Sequence, residues 1–204
     1  MTLPSAQISP KPKTSRGERT RQKILAAAEQ EFGEKGYYEG SVSGITARAG
    51  IGQGTFYIYF KTKEEVLREL VIYMGGQVRH HLSVHIASCQ SREEAEAVGM
   101  REFFNYIREH KNLYRIVLES QFVDEEVYRN YYESFAEGYL DGLQKAQLAG
   151  EVRSGDIQVW TWSIMGMVHL LGLKYALWSD DTPLETVVSG AMDLLANGLI
   201  GRGK

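Results

Sequence analysis

Cysteine is almost missing from this chain, with Cys89 the single one in 204 residues, so no internal disulfide can form. No apolar run follows the basic residues near the start, and the two features together predict a reducing, cytoplasmic setting. Long hydrophobic runs are missing too. The nearest to a span, residues 159–173, falls short of the roughly 18 uncharged apolar residues a membrane helix needs and carries His169, so no membrane partner is expected. Proline is scarce: three of the 4 lie before Gly17, among Ser/Thr residues and Lys11, Lys13 and Arg16 without apolar periodicity. Residues 1–17 therefore read as a disordered basic arm. No HExxH, CxxC or Ser/His/Asp order is present. The glycines from Gly50 to Gly54 follow a helical pattern rather than a strand and lack a phosphate-loop Gly-Lys-Ser/Thr, so neither a catalytic activity nor a cofactor is expected.

Excess charge of one sign is missing from the average, at −3, and present in the parts. Residues 1–63 hold ten Lys/Arg against five Asp/Glu, a net of +5, and residues 64–204 hold thirteen against twenty-one, a net of −8. A basic head on an acidic body is the electrostatic footprint of a nucleic-acid reader carried by a different kind of domain.

The basic head contains Ser41–Phe60, SVSGITARAGIGQGTFYIYF. Ser41 is a side-chain N-cap for a helix whose apolar positions are Val42, Ile45 and Ala49, and Gly50 suits a left-handed stop. After a turn of about three residues the helical pattern reopens at Gly52, with Phe56 and Phe60 one turn apart and inward. Two short helices around a tight turn make a helix-turn-helix. Gln53 and Thr55, in the first turn of its second helix, are suited to base edges in the major groove. Gly54 permits close backbone approach, and Tyr57, Tyr59, Lys61 and Lys63 offer hydroxyls and ammonium groups to phosphates. Ser43, on the first helix of the motif, completes the DNA-binding set.

The AGIGQGTFYIYFKTKEEVL run, preceded by a long first helix and followed by an all-helical remainder, resembles the TetR (tetracycline-repressor-like) transcriptional regulators over about residues 18–70. Gly52 stands where that family often has Ser or Ala, and Ser43 and Gly44 where it often has charged residues, so fewer side chains of the motif's first helix are expected to reach DNA. The resemblance implies a homodimer on a double-stranded, roughly palindromic operator and a small-molecule effector.

The rest of the chain reads as helices. The first, residues 18–35, carries Ile24, Leu25, Ala28 and Phe32, and Gly36 stops it. Arg19, Arg21 and Lys23 near its start oppose the helix dipole, which phosphates nearby would explain. Tyr37 or Tyr38 should pack beneath the motif. Capping boxes at Thr62–Glu65, Ser91–Glu94 and Thr182–Glu185 open three later helices, and Asp124 caps another that Gly150 ends. Gly75-Gly76 is a candidate bend in the helix after Thr62. His81 and His85 there have metal-ligand spacing, but no third ligand is specified by the sequence, and a solvated polar face is expected.

The expected architecture is all-α with about nine helices: a three-helix DNA-binding domain at 18–63 and a larger effector-binding and dimerisation domain at 64–204. Phe103, Phe104, Tyr128, Tyr131, Tyr132, Phe135, Trp162, Met165 and His169 are the candidates for a pocket taking an aromatic or acyl effector. The last two helices carry more apolar surface than one subunit can hide. Val159, Gly166, Leu170, Val187, Ala191, Leu194 and Leu195 are the candidates for a two-fold, four-helix interface.

Overall fold

The computed structural model describes residues 14–179 and 181–200. Among these the chain is all-α, with nine α-helices: α1 (Ser15–Glu39), α2 (Val42–Ala49), α3 (Gln53–Tyr59), α4 (Lys63–Ile86), α5 (Arg92–Glu109), α6 (Lys111–Ser120), α7 (Glu125–Leu148), α8 (Ile157–Gly172), which runs on as a π-helical segment, Leu173–Trp178, and α9 (Leu184–Asn197). None is long and apolar enough to cross a membrane. The expected arm, up to residue 13, lies outside the described residues. Its last part is helical instead, because the Thr14 hydroxyl accepts from the Gly17 N–H at 3.1 Å and starts α1 at Ser15.

Two compact units form: the chain up to Gly76 together with Lys111–Glu133, and Gln77–His110 together with the chain from Ser134. In the first unit α1 is the central element. Its stripe of Ile24, Ala28 and Phe32 is buried, α2 packs on one side and α6 on another. A Cβ at Gly33 would come within 2.4 Å of the Asn112 side chain, so the α1–α6 approach depends on glycine there. Gly36 breaks the helix with φ 78° and ψ 164°, a region essentially closed to other residues. The freed Tyr37 N–H finds the Glu119 carboxylate at 2.5 Å.

Most start signals work as the sequence suggests. Ser91 accepts from Glu94 N–H at 3.1 Å while Glu94 accepts from Gln90 N–H at 2.7 Å, and the Asp124 carboxylate accepts from Val127 N–H at 3.1 Å. Asp124 also holds Arg68 of α4 at 2.6 Å. The exception is α9. Its N-cap is Pro183, without a side-chain cap bond, one residue later than expected. The would-be capping Glu185 is taken instead by a two-pronged ion pair with Arg101 of α5. The Thr182 carbonyl, with that of Tyr175, accepts from the Arg108 guanidinium, at 3.0 and 2.9 Å.

In the second unit α5 packs against α8, α9 and the π-helical segment. Gly172 permits this, since a Cβ there would meet Ile107 Cδ1 at 2.8 Å. α4 is α-helical through Gly75 and Gly76, the candidate bend.

Candidate nucleic-acid interface

The reading helix is short, and its position is held from outside. Gly50 ends α2 in the left-handed conformation, φ 64°, with its N–H on the α2 carbonyls and Ile51 N–H on Thr46 O at 3.1 Å. α3 opens at Gly52, whose carbonyl accepts from Thr55 N–H at 2.9 Å. Phe56 and Phe60 are fully buried, with ring centroids 5.9 Å apart, and they set which face of α3 turns away. On the outward face Gln53 and Gly54 are exposed, Tyr57 is half exposed, and Thr55 and Tyr59 are partly covered. The space a Gly54 Cβ would occupy is open to 4 Å. Ser43 is exposed on α2, sharing a hydrogen bond with Ser41.

Two cations expected on the DNA side are engaged within the protein. The Lys63 ammonium donates to the carbonyls of Tyr37 (2.8 Å), Tyr38 (3.3 Å) and Gly40 (2.9 Å) and lies 4.3 Å from the Tyr37 ring centre. All three of its donors are used to cap the end of α1, where the dipole is negative. Arg21 is buried, 2.7 Å from Glu69 and stacked over Phe60, so it ties α1 to α4 rather than facing phosphates. Arg19, Lys23 and Lys61 are exposed.

Glu31 is the hub that the sequence reading missed. Fully buried, it accepts from Lys35 Nζ (2.9 Å), Arg48 Nε (2.8 Å) and Ser41 N–H (3.4 Å). Arg48 also grips Glu34 at 2.6 Å. Burial works to raise the Glu31 pKa, but the hydrogen bonds from Lys35, Arg48 and Ser41 outweigh it and hold the carboxyl below its ordinary range. A Cβ at Gly44 would sit 2.0 Å from Glu31 Oε1, which is the physical reason for glycine in α2 at that position. The signal was present: Glu31 lies seven residues after Ile24, on the apolar stripe itself, where an unpaired carboxylate would be costly. Tyr37 is buried against Phe32, as expected of one of the tyrosine pair, and Tyr38 is exposed.

The candidate effector residues fall in both units. In the first, Tyr128, Tyr131 and Tyr132 form edge-on pairs with centroids 5.0 and 5.1 Å apart. Burial raises the Tyr132 phenol, and likewise that of Tyr114, fully buried and absent from the expected set. In the second unit Phe104 is fully buried, with Phe103 beside it at 6.2 Å, and Arg79 lies over the Phe135 ring. Met165 and His169 are half-buried, burial lowering the His169 pKa, whereas Trp162 is half exposed.

The expected association face divides. Val187 and Ala191 are buried inside the second unit. Val159, Gly166 and Leu170 line one exposed face of α8, and Leu194 and Leu195 are exposed on α9. Cβ atoms built at Gly166 and Gly190 meet nothing within 4 Å.

A buried-aromatic helix-turn-helix with an outward Gln53-Gly54-Thr55 turn, on an all-helical body, defines a helix-turn-helix transcriptional regulator. Residues 24–70 match the model of the bacterial regulatory proteins, tetR family. Over these residues the chain carries the DNA-binding domain of the TetR family of transcriptional regulators, a family of non-enzymes. It is 27% identical over 182 residues to the fatty acid metabolism regulator protein of Bacillus subtilis, an alignment covering 86% of this chain and 93% of that protein. The structure of the Bacillus subtilis regulator FadR in complex with stearoyl-CoA superposes with a TM-score of 0.79 at 23% identity, over 88% of this chain and all (100%) of that one. AibR, solved with isovaleryl coenzyme A and operator DNA, gives a TM-score of 0.68 at 20% identity, covering 87% of this chain and 97% of its own.

Proposed function

We propose that this regulator is a cytoplasmic homodimeric repressor of a roughly palindromic operator, released by an acyl thioester of coenzyme A. The observation that carries the effector class is the near-full-length similarity to a fatty acid metabolism regulator. Relatives of the same fold are described with stearoyl-CoA and isovaleryl coenzyme A bound. Within the second unit, Phe103, Phe104, Phe135, Met165 and His169 offer the apolar bodies and the polar ring atom that an acyl chain and its thioester call for. The test uses an operator selected from a random duplex pool. Stearoyl-CoA should weaken binding at least fivefold, the lower end of ordinary allosteric coupling, while free stearate and coenzyme A alone should not. Equal affinity with all three compounds would refute the effector reading.

DNA contact is assigned to the outward turn of α3, with Gln53, Gly54 and Thr55 at bases, Tyr57, Tyr59, Lys61 and Ser43 at the backbone, and Lys63 acting by holding the motif. Gln53→Ala should cost roughly 1–3 kcal/mol on the selected operator and flatten preference at one base pair per half-site. Uniform weakening across sequences would move Gln53 to the phosphate group of contacts.

Two-fold association is assigned to the α8–α9 face carrying Val159, Gly166, Leu170, Leu194 and Leu195. Its exposed apolar side chains and open glycines suit close helix packing against a second copy, placing two reading helices about 34 Å apart on one face of DNA. Leu170→Arg should convert a dimer to a monomer by light scattering at micromolar concentration, with helical content retained. An unchanged dimer would place the interface elsewhere.

A further inference from the structure

In the second unit, α4 presents His81 and His85 one turn apart, and α5 presents Glu102 opposite them. Their ligand atoms all lie within 4.8 Å of one another. His81 Nε2 is 3.1 Å from Glu102 Oε2, and His85 Nε2 is 3.6 Å from the same oxygen. The first distance would suit a hydrogen bond, but the second is too long for one. Both lie near the edge of a tetrahedron whose metal–ligand bonds are about 2.0–2.2 Å, an edge of about 3.3–3.6 Å.

The hydrogen bonding around His85 makes the same point. Its Nδ1 lies 2.7 Å from the His81 carbonyl oxygen, which can only accept, so Nδ1 carries the proton. That leaves Nε2, 3.6 Å from Glu102 Oε2, as the ring nitrogen of His85 available to ligate. The two rings lie with centroids 4.3 Å apart, tilted by 40°, beside one shared carboxylate. A single divalent ion satisfies all three groups at once. The carbonyl that orients His85 is the kind of outer partner metal-bound histidines have. On the other side His81 packs against Tyr106 at 5.3 Å, and Tyr106 against His110 at 4.2 Å, which restrains the His81 ring.

We propose that His81, His85 and Glu102 form a binding site for a divalent ion of the zinc class, two imidazole nitrogens and one carboxylate oxygen leaving a fourth position for water. Partial exposure of the three side chains, 27%, 42% and 18%, gives the ion a path in and a solvent-facing fourth position. Bound there, it cross-links the end of α4 to α5. The chemistry of the ligands selects zinc, cobalt or nickel over magnesium and calcium, which need mostly oxygen donors.

The experiment uses untagged full-length protein stripped with EDTA. Co(II) is the spectroscopic probe and Zn(II) the competitor. One Co(II) per chain should bind, give the visible absorption of a low-symmetry four-coordinate site, and be displaced by Zn(II). His85→Gln and Glu102→Gln, both at partly exposed positions, should each weaken Zn(II) at least tenfold while circular dichroism shows unchanged helix. Zn(II) should also raise the unfolding midpoint of the wild type and not of the variants. Absence of saturable one-per-chain binding, or equal affinity in wild type and both variants, overturns the site. Neither result bears on the acyl-thioester reading, which is measured without metal.

Discussion

Glu31→Ala is expected to destabilise the unit containing the DNA reader by about 3 kcal/mol, the lower part of the range for breaking a buried ion pair from one side. The loss sits at this end because Arg48 keeps Glu34 and Lys35 is half exposed. What is removed is the carboxylate that joins α1 to the first turn and the last turn of α2 through Ser41 N–H and Arg48. Urea unfolding measures it, and a change under 0.5 kcal/mol would show that Glu31 is a passive filler. Glu31→Gln should lose less in stability but should also lose part of the acid dependence. The sign follows from the direction of the shift. A carboxyl whose folded pKa lies below its ordinary 4.5 contributes stability that is complete above that value and disappears as pH falls through the depressed folded value. The wild type should therefore lose stability more steeply than Glu31→Gln below about pH 4.5. Gly44→Ala should be costly alone and nearly tolerated in the Glu31→Ala background, because the side chain that its Cβ would strike at 2.0 Å is then gone.

Lys63→Met should lower stability by about 1.5–3 kcal/mol, the range for hydrogen bonds to a charged group, because it leaves the end of α1 uncapped. DNA affinity should fall in step with that loss, and the salt slope of binding to a mixed-sequence duplex should stay the same. Lys61→Ala should do the opposite: stability unchanged within about 0.5 kcal/mol and the slope reduced by about one. A reduced slope with unchanged stability for Lys63→Met would return its ammonium to the phosphates. The two lysines are two residues apart in one basic run, and only their surroundings separate the roles.

The elements of this protein were legible because their signals are local. Ser41, Gly50, Ser91 and Asp124 mark helix ends through bonds to residues three or four positions away, and a 3.6-residue stripe needs only its own helix to be recognised. The outward turn Gln53-Gly54-Thr55 follows from the same logic, since Phe56 and Phe60 declare which face is inward. At Thr182 a local signal lost to a distant partner: Arg101 offers Glu185 a two-pronged ion pair, which outweighs a capping bond on a solvated turn.

By itself, then, the sequence determined the helices, most of their caps and the face of α3 that turns outward, because those depend on neighbours along the chain. Tertiary structure alone decided the fate of the charges. Arg21, Arg48 and Lys63 look alike as surface ions in one dimension, but whether a charge meets water, a carboxylate or a helix end depends on residues 14 to 48 positions away. The same holds for α6, which joins the reader's unit from residue 111 onward, and for Glu102, which meets His81 across 21 positions. Such meetings are set by packing of whole helices, where a few ångströms of side-chain volume at Gly33, Gly44 or Gly172 decide how closely two elements come together.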